Sequence, residues 1–244
     1  MLRTSKADRS LRDNLLLASS TATVSGITNV AGMVAFLACT SNITGHVATL
    51  SKHLVEQNFG EILVFAIWLF MFFAGAFLSS FIVRSLEDKG YYRAHATPIV
   101  IEIVILLFVA IYGHNFYQET DTEREIVIAA TLFCMGLQNS LVSVISGGLI
   151  KTSHLTGLFT DLGGDISDWL HPKVETTELI RNKIRIRFTV LGFYFLGGII
   201  GGYFFNLYEF GIFYVVPLIL AAILYYDVSA IALKKITNRL AKAK

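Results

Sequence analysis

Two short turns of this 244-residue sequence carry residue types that could bind a polar solute. Ser41-Asn42-Ile43-Thr44-Gly45 and Ser153-His154-Leu155-Thr156-Gly157 share a Ser-x-x-Thr-Gly pattern, and an amphipathic stretch follows each. Thr44 or Thr156 fits a helix N-cap, and the next residue, Gly45 or Gly157, lets a ligand or chain approach the backbone closely. A helix starting there offers free N–H groups and partial positive charge, which suits an anionic or carbonyl-bearing ligand. The same pattern also fits a capped interfacial helix that merely joins two spans. Amide side chains precede each turn: Asn29 before the first, Gln138 and Asn139 before the second. An amide left unpaired in an apolar setting costs about 2–7 kcal/mol. These amides therefore line a polar cavity or pair with one another as helix glue. The candidate solute-binding set is Asn29, Thr44, Gly45, Gln138, Asn139, Thr156 and Gly157.

Two acids, Glu102 and Asp227, fall within apolar runs and are candidates for proton or ion coupling. Each lies within a few residues of a span end, where a headgroup or a loop cation could equally hold it. Asp161, Asp165 and Asp168 read as a solvated helix face, without His/Cys partners or calcium-loop spacing. The six histidines form no metal pattern, and Cys39 and Cys134 read as small hydrophobes. No nucleotide-binding loop, nucleophile motif or dinucleotide fingerprint occurs. The expectation is a chain without catalytic residues, metal or cofactor, and not an enzyme.

The elements that carry these residues follow from composition. Apolar residues make up 54% and charged residues 16%, with 19 Phe, 19 Gly and only 3 Pro. Mean hydropathy is +0.61. Soluble chains carry about a quarter charged residues, so a soluble surface is excluded. Six spans of helical length are expected at 14–38, 61–83, 97–113, 126–150, 187–206 and 211–233. The first is read as an uncleaved helix and not a signal peptide, because its apolar character runs on to Phe36. Lys and Arg sort by side. Alternate connecting segments hold 18 on one face and 2 on the other, which puts both termini in the cytoplasm. Residues 234–244 form a basic cytoplasmic tail. The net charge of +2 gives no reason to expect a nucleic-acid partner.

The two halves repeat. Gly26-Ile27-Thr28-Asn29 matches Gly136-Leu137-Gln138-Asn139, and the two Ser-x-x-Thr-Gly turns follow at nearly the same spacing. Phe73–Ser80 matches 195–202 in the placing of small residues, and Pro98 corresponds roughly to Pro217, each expected in the first turn of its helix. Each repeat holds three spans, an odd number, so the second enters from the opposite side. The fold expected is an all-α integral membrane protein, a single transmembrane domain over 1–244. Within it, 14–113 and 126–233 form an inverted 3+3 repeat, with short amphipathic or half-membrane helices after helices 1 and 4. The Gly75/Ser79 and Gly197/Gly201 pairs serve close packing within the fold or a homo-oligomer face.

G-I-T-N-V-A-G-M-V-A-F-L with S-N-I-T-G, then M-G-L-Q-N-S with T-S-H-L-T-G-L-F-T-D-L-G, resembles the YoaK family of bacterial inner-membrane proteins, a family of unknown function. The resemblance runs over roughly residues 15–230. It implies a multi-pass protein of the bacterial inner membrane with about six helices, and no substrate. Where the family pattern tends to Asp, this chain has Asn29, and where it tends to Asn, this chain has His46. The function expected is a transporter or channel for a small polar solute, an anionic one being among the candidates, with the lipid bilayer as surroundings. The alternative is a non-transporting scaffold that holds a partner through its basic loop at 173–187.

Overall fold

The computed structural model describes residues 1–3, 9–175 and 177–242. Lys6 and residues 243–244, among the basic terminal positions, lie outside them. Among the described residues the chain is helical throughout, with no strand. In order come α1 (Leu11–Phe36), α2 (Ile43–Val55), α3 (Phe59–Leu86), α4 (Tyr91–Asn115), α5 (Asp121–Ser146), α6 (Leu155–Leu170), α7 (Glu178–Tyr208) and α8 (Val215–Lys242). Tight 3-10 turns at Glu87–Lys89 and Glu209–Tyr214 join α3 to α4 and α7 to α8.

Helices α1 and α5 are built alike from cap to cap. Ser10 and Asp13 form a capping box at the start of α1, as Thr120 and Glu123 do for α5. Each helix runs 26 residues and stops at a left-handed residue: Leu37 (φ 55°) and Gly147 (φ 63°). The burial pattern of residues 21–30 recurs position by position over 131–140.

Side-chain contacts fix the directions of the long helices. The Phe36 ring meets Tyr117 at 6.0 Å and Phe210 at 5.9 Å, which gathers the C-terminal ends of α1, α4 and α7 at one end of the bundle. At the other end Tyr92 Oη donates to Leu224 O (3.3 Å). Helices α1, α4 and α7 therefore run one way, and α3, α5 and α8 the other. Gly26 and Gly136 lie in oppositely directed helices.

The closest packing joins helices from different halves. A Cβ on Gly26 of α1 would meet Tyr194 O of α7 at 2.2 Å, and one on Gly136 of α5 would meet Phe72 O of α3 at 2.1 Å. The reciprocal approaches are Gly197 to Thr23 O and Gly75 to Phe133 O. These contacts interchange when 110 is added along α1 and 122 along α3. Glycines here admit backbone to backbone, in the manner of small-residue helix interfaces. The Gly75 and the Gly197/Gly201 faces are thus used inside the fold. Gly26 and Gly136 sit in unbroken helix and set helix separation.

Among the described residues, four segments are long and apolar enough to cross a membrane: Phe59–Lys89, Tyr91–Asn115, Asp121–Ser146 and Glu178–Leu233. The last, of 56 residues, contains α7 and most of α8, which run in opposite directions. Helix α1 matches α5 in length but is richer in hydroxyls, several of which bond back to the preceding turn, as Thr21 does to Leu17 O and Thr23 to Ser19 O. Exposed phenylalanines 70, 73, 77 and 81 form an apolar stripe down the outside of α3.

Several boundaries differ from the sequence expectation. Pro98 lies inside α4, not in its first turn, because the helix begins at Tyr91 within a half-polar run. Residues 178–187 of the expected basic loop are the first turns of α7. Residues 234–242 of the expected tail continue α8.

Candidate functional site

After α1 and after α5 the chain doubles back along the helix it has just left. Asn29 holds the first return: its Oδ1 accepts from Ser41 N (3.1 Å) and Ser41 Oγ (3.0 Å), while its amide donates to Tyr194 Oη (2.8 Å). Asn139 holds the second, accepting from Thr152 Oγ1 at 3.3 Å. The N-termini of α2 and α6 therefore begin well inside the bundle, arriving from opposite ends.

Between them lies a cavity of about 670 Å³, within the usual range for small-molecule sites of roughly 300–1,000 Å³. Asn29, Thr44, Asn139 and Thr156 all line it. So do Phe72, the 14th of 28 residues in α3, and Tyr194, the 17th of 31 in α7, which sets the cavity at mid-height. Gly45 and Gly157 stand in the first turns of α2 and α6 beside it.

The cap residues are not the expected threonines. Asn42 caps α2, its side chain accepting from Gly45 N at 3.1 Å. At α6 the N-cap is His154, which makes no side-chain capping bond. Thr44 and Thr156 fall one residue inside their helices, free to face the cavity. The floor of the first turn is pinned by His46, whose Nε2 donates to Cys39 O at 2.7 Å.

Gln138 does not join the site. It is buried and donates to Thr21 O at 2.7 Å, tying α5 to α1. Neither candidate acid lines the cavity. Glu102 is buried in α4, and its Oε1 has no hydrogen-bond partner among the described residues. Asp227 is fully buried in an ion pair with the Met1 ammonium and accepts from Leu2 N at 2.7 Å. That arrangement anchors the N-terminal segment to α8.

Two of the three α6 aspartates, Asp161 and Asp165, are ion-paired and not part of a solvated face, whereas Asp168 is exposed as expected. Asp161 Oδ2 lies 2.7 Å from Lys151 Nζ and 3.2 Å from Arg187 Nη1, and Asp165 Oδ2 lies 2.9 Å from Arg187 Nε. Asp165 is buried with Leu158 and Leu162 on the inner face of α6, Asp161 is half-buried, and Asp168 is exposed with Phe159, Trp169 and Leu170.

Sequence reasoning passed over Tyr194, Phe72, Lys151 and His154 as lining residues. A signal existed for the first two, which are related by the same 122-residue offset as the small-residue match. Among the described residues no group of three or more His, Cys, Asp or Glu side chains is placed to hold a metal ion.

Long helices, most of them apolar, running in both directions, with two short helices heading into a central cavity, define an all-helical protein of membrane type. Residues 17–226 match the model of a family described as a protein of unknown function (DUF1275), and the chain belongs to that family. An uncharacterised family is what the sequence resemblance implied; the match does not carry the YoaK name. No curated protein and no solved structure matches the chain.

Proposed function

We propose that the chain is a non-enzymatic transporter or channel for a small polar solute. It crosses the bacterial inner membrane six times, through α1, α3, α4, α5, α7 and α8, as an inverted 3+3 repeat of the YoaK type with both termini cytoplasmic. The repeat is supported by the interchangeable glycine contacts and by the opposed directions of α1 and α5. The orientation rests on the 18-to-2 distribution of basic residues.

The observation that carries the transport reading is the mid-height cavity bounded by both Ser-x-x-Thr-Gly turns and by Asn29 and Asn139. Short helices that start at the membrane centre, one reached from each side, are a recurring way to hold a solute between inverted repeats. A scaffold would need no such cavity. Its supposed docking loop is mostly helix, and Arg187 turns inward to Asp161 and Asp165.

Purified protein in proteoliposomes, offered a panel of labelled sugars, amino acids, carboxylates and inorganic anions, tests this. Uptake of at least one class is expected, and Thr156→Trp, which fills the cavity, should abolish it while the protein remains monodisperse. Uptake equal to that of empty vesicles for every class, or a Thr156→Trp variant as active as wild type, would overturn the reading.

A further inference from the structure

The cavity is nearly symmetric in the positions that line it and lopsided in charge. Position 39 of the first half and position 151 of the second correspond across the repeat, and both line the cavity, yet one is Cys39 and the other Lys151. Among the described lining residues none is Asp or Glu. The two helix heads differ as well. At α2 the Asn42 side chain occupies Gly45 N, whereas at α6 no side-chain cap is made, and Leu155 and Thr156 of that first turn line the cavity. A Cβ on Gly157 would lie 3.5 Å from Lys151 Nζ and 3.1 Å from His154 Nδ1, so both side chains gather at the head of α6.

We infer that the solute is a small carboxylate, and that it binds at the head of α6 by taking Lys151 over from Asp161. This rests on the transport reading. A carboxylate there meets the first-turn N–H groups, the helix's partial positive charge and one ammonium. Asp161 can release Lys151 because it keeps Arg187 at 3.2 Å, and Arg187 in turn holds Asp165. Lysine suits the exchange, being a compact charge on a flexible stem. The rest of the 670 Å³ gives an organic carboxylate room for its chain, which lies against Phe72 and Tyr194.

The test compares acetate, lactate and pyruvate with glycerol and choline in proteoliposomes containing the full-length protein. Wild type should move the carboxylates and neither neutral glycerol nor cationic choline. Lys151→Gln should lower carboxylate uptake below saturation by about tenfold or more, as expected for loss of one charge-assisted hydrogen bond, and Lys151→Arg should restore part of it. Asp161→Asn removes the competing negative charge and should lower the half-saturating concentration several-fold. A merely structural ion pair would not move half-saturation in opposite directions for its two partners. Carboxylate uptake by Lys151→Gln with wild-type half-saturation, or wild-type uptake of glycerol or choline without carboxylates, overturns the inference. If wild type moves nothing, the transport reading fails, and thermal melts in detergent decide the site alone. Protection of wild type by pyruvate that is lost in Lys151→Gln supports it, and protection that is absent or unchanged overturns it.

Discussion

The glycine crossings give a prediction whose size can be worked from distances. In Gly26→Ala the new Cβ would stand 2.2 Å from Tyr194 O, and in Gly136→Ala 2.1 Å from Phe72 O. Carbon–oxygen contacts settle near 3.3 Å, so each helix pair must part by roughly 1 Å. Both obstructing atoms are backbone, and no side-chain rotation relieves the clash. Overpacking of this kind costs about 1–3 kcal/mol, and the better helix propensity of alanine returns up to about 1 kcal/mol. A net loss of about 1–2 kcal/mol lowers the melting temperature of a chain this long by about 2–8 °C. The two variants should fall by similar amounts, because their contacts are counterparts across the repeat. Gly192→Ala is the control: in α7, five residues before Gly197, its Cβ meets nothing within 4 Å and should leave Tm unchanged or slightly raised. Tm read by fluorescence-detected size exclusion in detergent decides. Wild-type melting of Gly26→Ala or Gly136→Ala, or an equal fall in Gly192→Ala, would refute the packing argument.

Two further outcomes are expected. Asn42→Ala removes the α2 cap and should cost about 1 kcal/mol, or about 2–4 °C in Tm, whereas Thr44→Ala should leave Tm within about 1 °C because Thr44 caps nothing. In a background with Cys39 and Cys134 changed to alanine, a membrane-impermeant thiol reagent applied to intact cells should label Gln118→Cys but not Asp88→Cys; these exposed positions lie in opposite end connections of α4. The reverse labelling would invert the orientation drawn from the basic residues.

Much of the helical plan was legible because long apolar runs leave few options for the backbone. The site was legible in part. Asn29 and Asn139 were picked by residue type and repeat, and both line the cavity. Gln138 shares that chemistry but sits one residue, about 100° of helix, away from Asn139, and so it faces α1. Type alone does not report that rotation. Asn42 and Thr44 are both good caps, and only the backbone shows which one precedes the first helical turn. The Lys151–Asp161–Arg187 cluster joins residues up to 36 positions apart on a loop and two helices. No periodicity spans such a distance, so the aspartates read as solvated. The expected loop at 173–187 failed for a related reason: charged first turns of a long helix have the composition of a connection.

The exchange of partners between halves also sets an order of assembly during synthesis. Ser80 and Ser140, hydrogen-bonded at 2.8 Å across α3 and α5, are separated by 60 residues. Thr23 and Gly197, in contact across α1 and α7, are separated by 174. At about 5–20 residues per second the ribosome takes roughly 10–35 s to cover that second interval. The α3–α5 pair can close while α1, with its run of hydroxyls and its bare glycine face, still waits for α7. A nascent chain stalled before residue 197 would hold a hydroxyl-rich helix without the neighbour that packs against its glycine face.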